Sequence, residues 1–89
     1  DTICAMKTIL VIEDEAQIRE SIAEILAFTG FEVITAENGA TGLELAKSRH
    51  PDLIICDIMM PTLDGYQVLD ALRQNARTAT IPLIFLTAK

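Results

Sequence analysis

The chain has 89 residues, 51% hydrophobic and 22% charged, with a formal net charge of -6. That composition fits one small globular domain, and its longest apolar runs, about six residues, fall far short of the roughly 20 that span a bilayer. Seven scattered Lys and Arg against thirteen Asp and Glu argue against binding of nucleic acid by this domain itself, because phosphate contacts need clustered cations.

Met6 has the position of a native start, so residues 1–5 are expected to be an extension or cloning remnant and residues 6–89 the domain proper. Thr8 to Ile12 is a continuous β-branched and aliphatic run, the pattern of a strand covered on both faces. Asp14 is placed to cap a following helix in which Ile18, Ile22, Ile25 and Leu26 recur at helical spacing, and Gly30 to stop it. Phe31 to Ala36 is a second strand whose partly polar alternation predicts a sheet edge. Asn38 caps a short helix carrying Leu43, Leu45 and Ala46 and ending near Arg49-His50-Pro51. Leu53 to Cys56 is the third strand. Asp64-Gly65 opens a third helix with Tyr66, Leu69 and Leu72 expected on one face, followed by a polar loop from Asn75 to Thr80. Ile81 to Leu86 is the fourth strand, apolar on both faces and therefore expected in the sheet interior. An apolar strand of that kind left at an edge would favour association with a second copy.

Strands alternating with helices predict an α/β domain, a doubly wound parallel sheet with helices on both faces. All strand ends then share one rim, the place where open α/β sheets put their chemistry. Glu13-Asp14-Glu15 ends the first strand, Asp57 the third and Thr87 the fourth. Mg²⁺ takes hard oxygen ligands and one or two direct carboxylates. Asp14 and Asp57 can supply those, Glu13 can act through water, and the backbone carbonyl of Met59 can add a further oxygen. A second reading of Glu13, Asp14 and Glu15 is that they complement a helix dipole, worth ~0.3–1 kcal/mol each. Asp57 has no helix immediately after it. A carboxylate beside Mg²⁺ can also attack phosphorus, and the Thr87 hydroxyl could bond a phosphoryl oxygen. Of the two cysteines, Cys4 and Cys56, the second sits in a strand as a small apolar residue, and a reducing cytoplasm is expected. His50 is expected at the surface.

Val11-Ile12-Glu13-Asp14-Glu15, Asp57-Ile58-Met59-Met60-Pro61-Thr62-Leu63-Asp64-Gly65 and Leu86-Thr87-Ala88-Lys89 together resemble the receiver domain of bacterial two-component response regulators. The resemblance runs from about Met6 to Lys89. It implies the flavodoxin-like strand order 2-1-3-4, with the family's fifth strand and last helices absent here. It implies that Asp57 is the phosphoacceptor, charged from the phosphohistidine of a sensor histidine kinase or a phosphotransfer protein. Asp14, Asp57 and the Met59 carbonyl would hold Mg²⁺, with Glu13 assisting through water. Thr87 would be the switch hydroxyl, and the Ala88 amide would contact phosphoryl oxygen. The family's fifth-strand Lys has no counterpart, and Lys89 does not replace it, so the chain as written is expected to be phosphorylated poorly. No enzyme activity is expected: an aspartyl-nucleophile phosphohydrolase needs an acidic residue two positions after the nucleophile, where this chain has Met59. The remaining alternative is a non-phosphorylated interaction module, or a folding fragment that associates through its fourth strand.

Overall fold

The computed structural model describes residues 6–86. The chain runs β1 (Thr8–Ile12), α1 (Ala16–Thr29), β2 (Glu32–Ala36), α2 (Gly39–Arg49), β3 (Leu53–Asp57), α3 (Gly65–Gln74) and β4 (Leu83–Leu86). The strands form one parallel sheet in the order β2-β1-β3-β4, the flavodoxin-like arrangement expected for these elements.

Period-two alternation explains the layers. Leu10 and Ile12 of β1 and Ile54 and Cys56 of β3 share a buried cluster with Ala46 of α2 and Val68 and Leu72 of α3. Full burial of an aliphatic side chain such as Leu10, Ile54 or Leu72 contributes roughly 1.5–3 kcal/mol. Ile9 and Val11 point the other way and are also buried, on the face where α1 packs against β1 and β2. β1 is therefore apolar after Thr8 because both of its faces are covered. At the amino ends of β1 and β3, the Thr8 amide donates to Asp52 Oδ2 and the Asp52 amide to the Thr8 carbonyl, both at 2.8 Å.

The helix boundaries have local causes. Gly30 closes α1 at φ 112°, a left-handed conformation that glycine adopts without steric cost. Asn38 caps α2 by accepting the Thr41 amide at 2.8 Å. Asp64 caps α3 within a reciprocal box, its carboxylate accepting the Gln67 amide while the Gln67 side chain accepts the Asp64 amide, each at 2.9 Å.

Four expectations need correction. The N-cap of α1 is Glu15, not Asp14, and its own side chain caps nothing; the Glu13 carboxylate accepts the Glu15 amide at 3.0 Å instead. On α3 the buried positions are Gly65, Val68 and Leu72, with Leu69 half-buried. Tyr66 lies outside that face, 59% exposed, with its ring edge-on to Phe85 at 5.1 Å. The 75–80 loop is not wholly polar surface: Thr78 is fully buried, its hydroxyl donating to the Leu72 carbonyl at 2.8 Å and so closing α3. β4 begins at Leu83 because Pro82 has no amide to give the ladder; its carbonyl instead accepts the Ile54 amide at 2.9 Å. Among the described residues β4 pairs only with β3, the last place in the expected order 2-1-3-4, and Ile84 is 55% exposed. β2 is the opposite edge, as its polar alternation predicts, and His50 is exposed, as expected.

Candidate functional site

β1 and β3 are parallel neighbours in a register that pairs Ile12 with Cys56. The next residues along the two strands are Glu13 and Asp57, so the register alone brings their carboxylates to one rim. Glu13, Asp14 and Asp57 each offer a carboxylate oxygen within 4.8 Å of the others. Glu13 and Asp57 are buried, each 1% exposed, and Asp14 is half-buried. Three such groups in one place repel one another unless positive charge offsets them. Hard oxygen donors at this spacing suit a small divalent cation with several of its own waters.

Backbone bonds fix the acidic turn. The Glu13 amide donates to the Ala36 carbonyl of β2 at 3.0 Å. The Arg19 guanidinium, from the second turn of α1, donates to the Glu13 carbonyl at 2.9 Å. Sequence reasoning passed over Arg19. The available signal was a basic residue just over one helical turn beyond an acidic turn.

The loop after Asp57 is equally constrained. The Gly65 amide donates to the Ile58 carbonyl at 2.9 Å, and a Cβ on Gly65 would lie 2.5 Å from the Asp57 carbonyl oxygen. The amino end of α3 is thus seated against the end of β3, which only a glycine permits. Within the loop Thr62 takes φ 70°, and the Leu63 amide donates to the Pro61 carbonyl at 2.7 Å. Met60 is buried in the core while the Met59 side chain is exposed. Met59 lies in the loop two residues past Asp57. Thr87 and Ala88 lie outside the described residues.

Cys56 registers the local field. Its thiol donates to the Asp57 carbonyl at 3.3 Å. Burial, followed by the negative charges of Asp57, Glu13 and Asp64, pushes its pKa from about 9 to about 12. The thiol stays protonated at neutral pH and acts as a small packing group.

The comparisons with known proteins agree with this geometry. The model of the response regulator receiver domain family matches residues 9–89. A probable transcriptional regulator, ycf27 of Cyanophora paradoxa, is 44% identical over 82 residues, covering 92% of this chain and 33% of its own length. The chain spans about a third of the length of such curated relatives. Among solved structures, the N-terminal domain of a response regulator receiver protein from Methanoculleus marisnigri superposes with a TM-score of 0.91 at 36% identity, covering 96% of this chain and 69% of that one. The receiver domain of the sensor histidine kinase PA1611 from Pseudomonas aeruginosa, solved with a magnesium ion coordinated in its active-site cleft, gives 0.89 at 29% identity, covering 96% and 70%. Among the described residues no helix is long and apolar enough to cross a membrane. The strand order, the acidic rim and the family match lead to one conclusion: the chain belongs to the response regulator receiver domain family.

Proposed function

We propose that this domain is the phosphoacceptor of a two-component pathway in the cytoplasm, and that Asp57 takes the phosphoryl group from the phosphohistidine of a sensor histidine kinase or phosphotransfer protein. The observation that carries this reading is the position of Asp57: the last residue of β3, its carboxylate within 4.8 Å of those of Glu13 and Asp14. An Asp57 carboxylate oxygen forms the new bond to phosphorus. The phosphorus–nitrogen bond of the donor breaks, and the imidazole leaves with that electron pair.

Asp14 and Asp57, with the Met59 carbonyl, would hold Mg²⁺ in this reading, and Glu13 would assist through water. When bound, Mg²⁺ offsets negative charge on the phosphoryl oxygens. The hydroxyl of Thr87 and the amide of Ala88 would donate hydrogen bonds to phosphoryl oxygens. Glu13 and Asp57 are buried at the ends of two paired strands, which restricts the orientations open to the nucleophile. A change at the rim then switches an output carried elsewhere in the protein. The apolar edge of β4, with Ile84 exposed, supports a second reading for the chain in isolation: association with another copy along that edge.

The test uses the full-length protein, Mg²⁺ and acetyl phosphate, followed by intact mass. The expected result is a gain of one phosphoryl group that Asp57→Asn abolishes. A gain that survives in Asp57→Asn would place the acceptor elsewhere and overturn the reading.

A further inference from the structure

Arg19 is bound to the acidic turn at both of its ends. Its backbone amide donates to the Glu15 carbonyl at 2.9 Å, the first hydrogen bond of α1. Its guanidinium turns back and donates to the Glu13 carbonyl, also at 2.9 Å. Between those two carbonyls lies Asp14, one of the three clustered carboxylates. The Glu13 side chain accepts the Glu15 amide at 3.0 Å, so the turn is closed from inside as well.

The consequence follows from peptide planarity. The carbonyl oxygen of Glu13 and the nitrogen and Cα of Asp14 lie in one rigid plane. A donor on the oxygen restrains that plane and the position of the Asp14 Cα; with the next plane restrained through the Glu15 amide, the two bonds together set φ and ψ of Asp14, and so the direction in which its side chain leaves the backbone. The Glu13 amide is already held by Ala36 of β2 on the preceding side. Arg19 supplies the matching restraint on the following side, and it does so from α1, a different element. Its half-buried guanidinium also brings positive charge near the acidic turn without using a carboxylate oxygen in the bond described.

We infer that Arg19 is a positioning residue for the cation site: it aims Asp14 by holding the Glu13–Asp14 peptide plane. This rests on the reading of Glu13, Asp14 and Asp57 as a divalent-cation site. Charge alone predicts the opposite sign, since a nearby guanidinium repels a cation and its removal would tighten binding.

The experiment compares wild type, Arg19→Gln and Arg19→Lys in the full-length protein. Mn²⁺ binding is followed by the electron paramagnetic resonance signal of the free ion, and exchange of the Glu15 amide is measured without metal. Arg19→Gln is expected to weaken Mn²⁺ binding about tenfold, in the range found when groups that orient metal ligands are removed. It is also expected to speed Glu15 exchange. Arg19→Lys, which can still place one donor on the carbonyl, restores most of both. Unchanged or tighter Mn²⁺ binding in Arg19→Gln overturns the inference, even where thermal stability falls. Wild type that binds no Mn²⁺ would sink the cation-site reading itself. The metal-free exchange measurement still decides whether Arg19 holds the turn, and unchanged Glu15 exchange counts against it.

Discussion

Gly65 has a backbone oxygen where any other residue would have a methyl group. A Cβ there would sit 2.5 Å from the Asp57 carbonyl and 2.9 Å from the Ile58 Cα, and neither backbone atom can swing aside as a side chain can. Gly65→Ala must therefore move the start of α3 away from the end of β3. The expected cost is about 1–3 kcal/mol, the usual penalty for overpacking, read as a lower urea midpoint at unchanged slope. A neutral result would mean that the strand end and helix start are loosely coupled. Asp57, Gly65 and the Glu13-Asp14 pair were all legible from residue type and position, because carboxylates at strand ends and a glycine after an Asp cap are local patterns. Arg19 and Thr62 were not. Arg19 acts through the folding back of a long side chain, and the left-handed φ of Thr62 is imposed by the loop around it rather than favoured by a β-branched residue.

At the scale of elements, α3 and α1 differ in what starts them. α3 has a full capping box, Asp64 with Gln67, which satisfies two amides at once. Asp64→Ala removes the side-chain half of that pair and is expected to cost about 1 kcal/mol, with the first turn of α3 exchanging its amides faster. No change in the exchange of the Gln67 amide would count against the cap. α1 begins at Ala16 after the N-cap Glu15, which makes no side-chain cap bond; the Glu13 carboxylate takes the Glu15 amide, and Asp14 stands in the acidic cluster. Sequence pattern assigned a cap to Asp14 since an acidic residue before a helix is a common start signal; in the structure its carboxylate lies with those of Glu13 and Asp57. The misplaced face of α3 has a similar origin. Tyr66, Leu69 and Leu72 are apolar, yet the buried stripe begins at Gly65, a residue with no side chain to mark it. Strand order could be inferred, whereas the exact start of β4 depended on which Pro82 groups the neighbouring strand could use.

At the scale of the whole chain, the sheet formed by the described residues has two unlike edges. β2 carries the exposed, charged Glu32, which bonds Thr8 Oγ1 and pairs with Arg49. β4 presents Leu-Ile-Phe-Leu, with Ile84 55% exposed. Charged edges resist pairing with other chains, and apolar ones invite it. Light scattering on this 89-residue chain is expected to show association that rises with concentration, and Ile84→Lys is expected to reduce it. A stable monomer at high concentration would remove the edge-pairing proposal. The net charge of -6 opposes association at low salt, so added salt should strengthen the effect.

The pair of hydrogen bonds between Thr8 and Asp52 lies at the far end of the sheet from the acidic rim. Side chains alternate along a strand, so a shift of one residue between β1 and β3 would turn Asp57 to the opposite face. The alignment of the two strands is thus an all-or-nothing setting, and it is latched where the strands begin. Asp52 touches none of the clustered carboxylates, yet the meeting of Glu13 with Asp57 depends on the step at which Thr8 and Asp52 engage. The chemistry at one end of this sheet is indexed from the other.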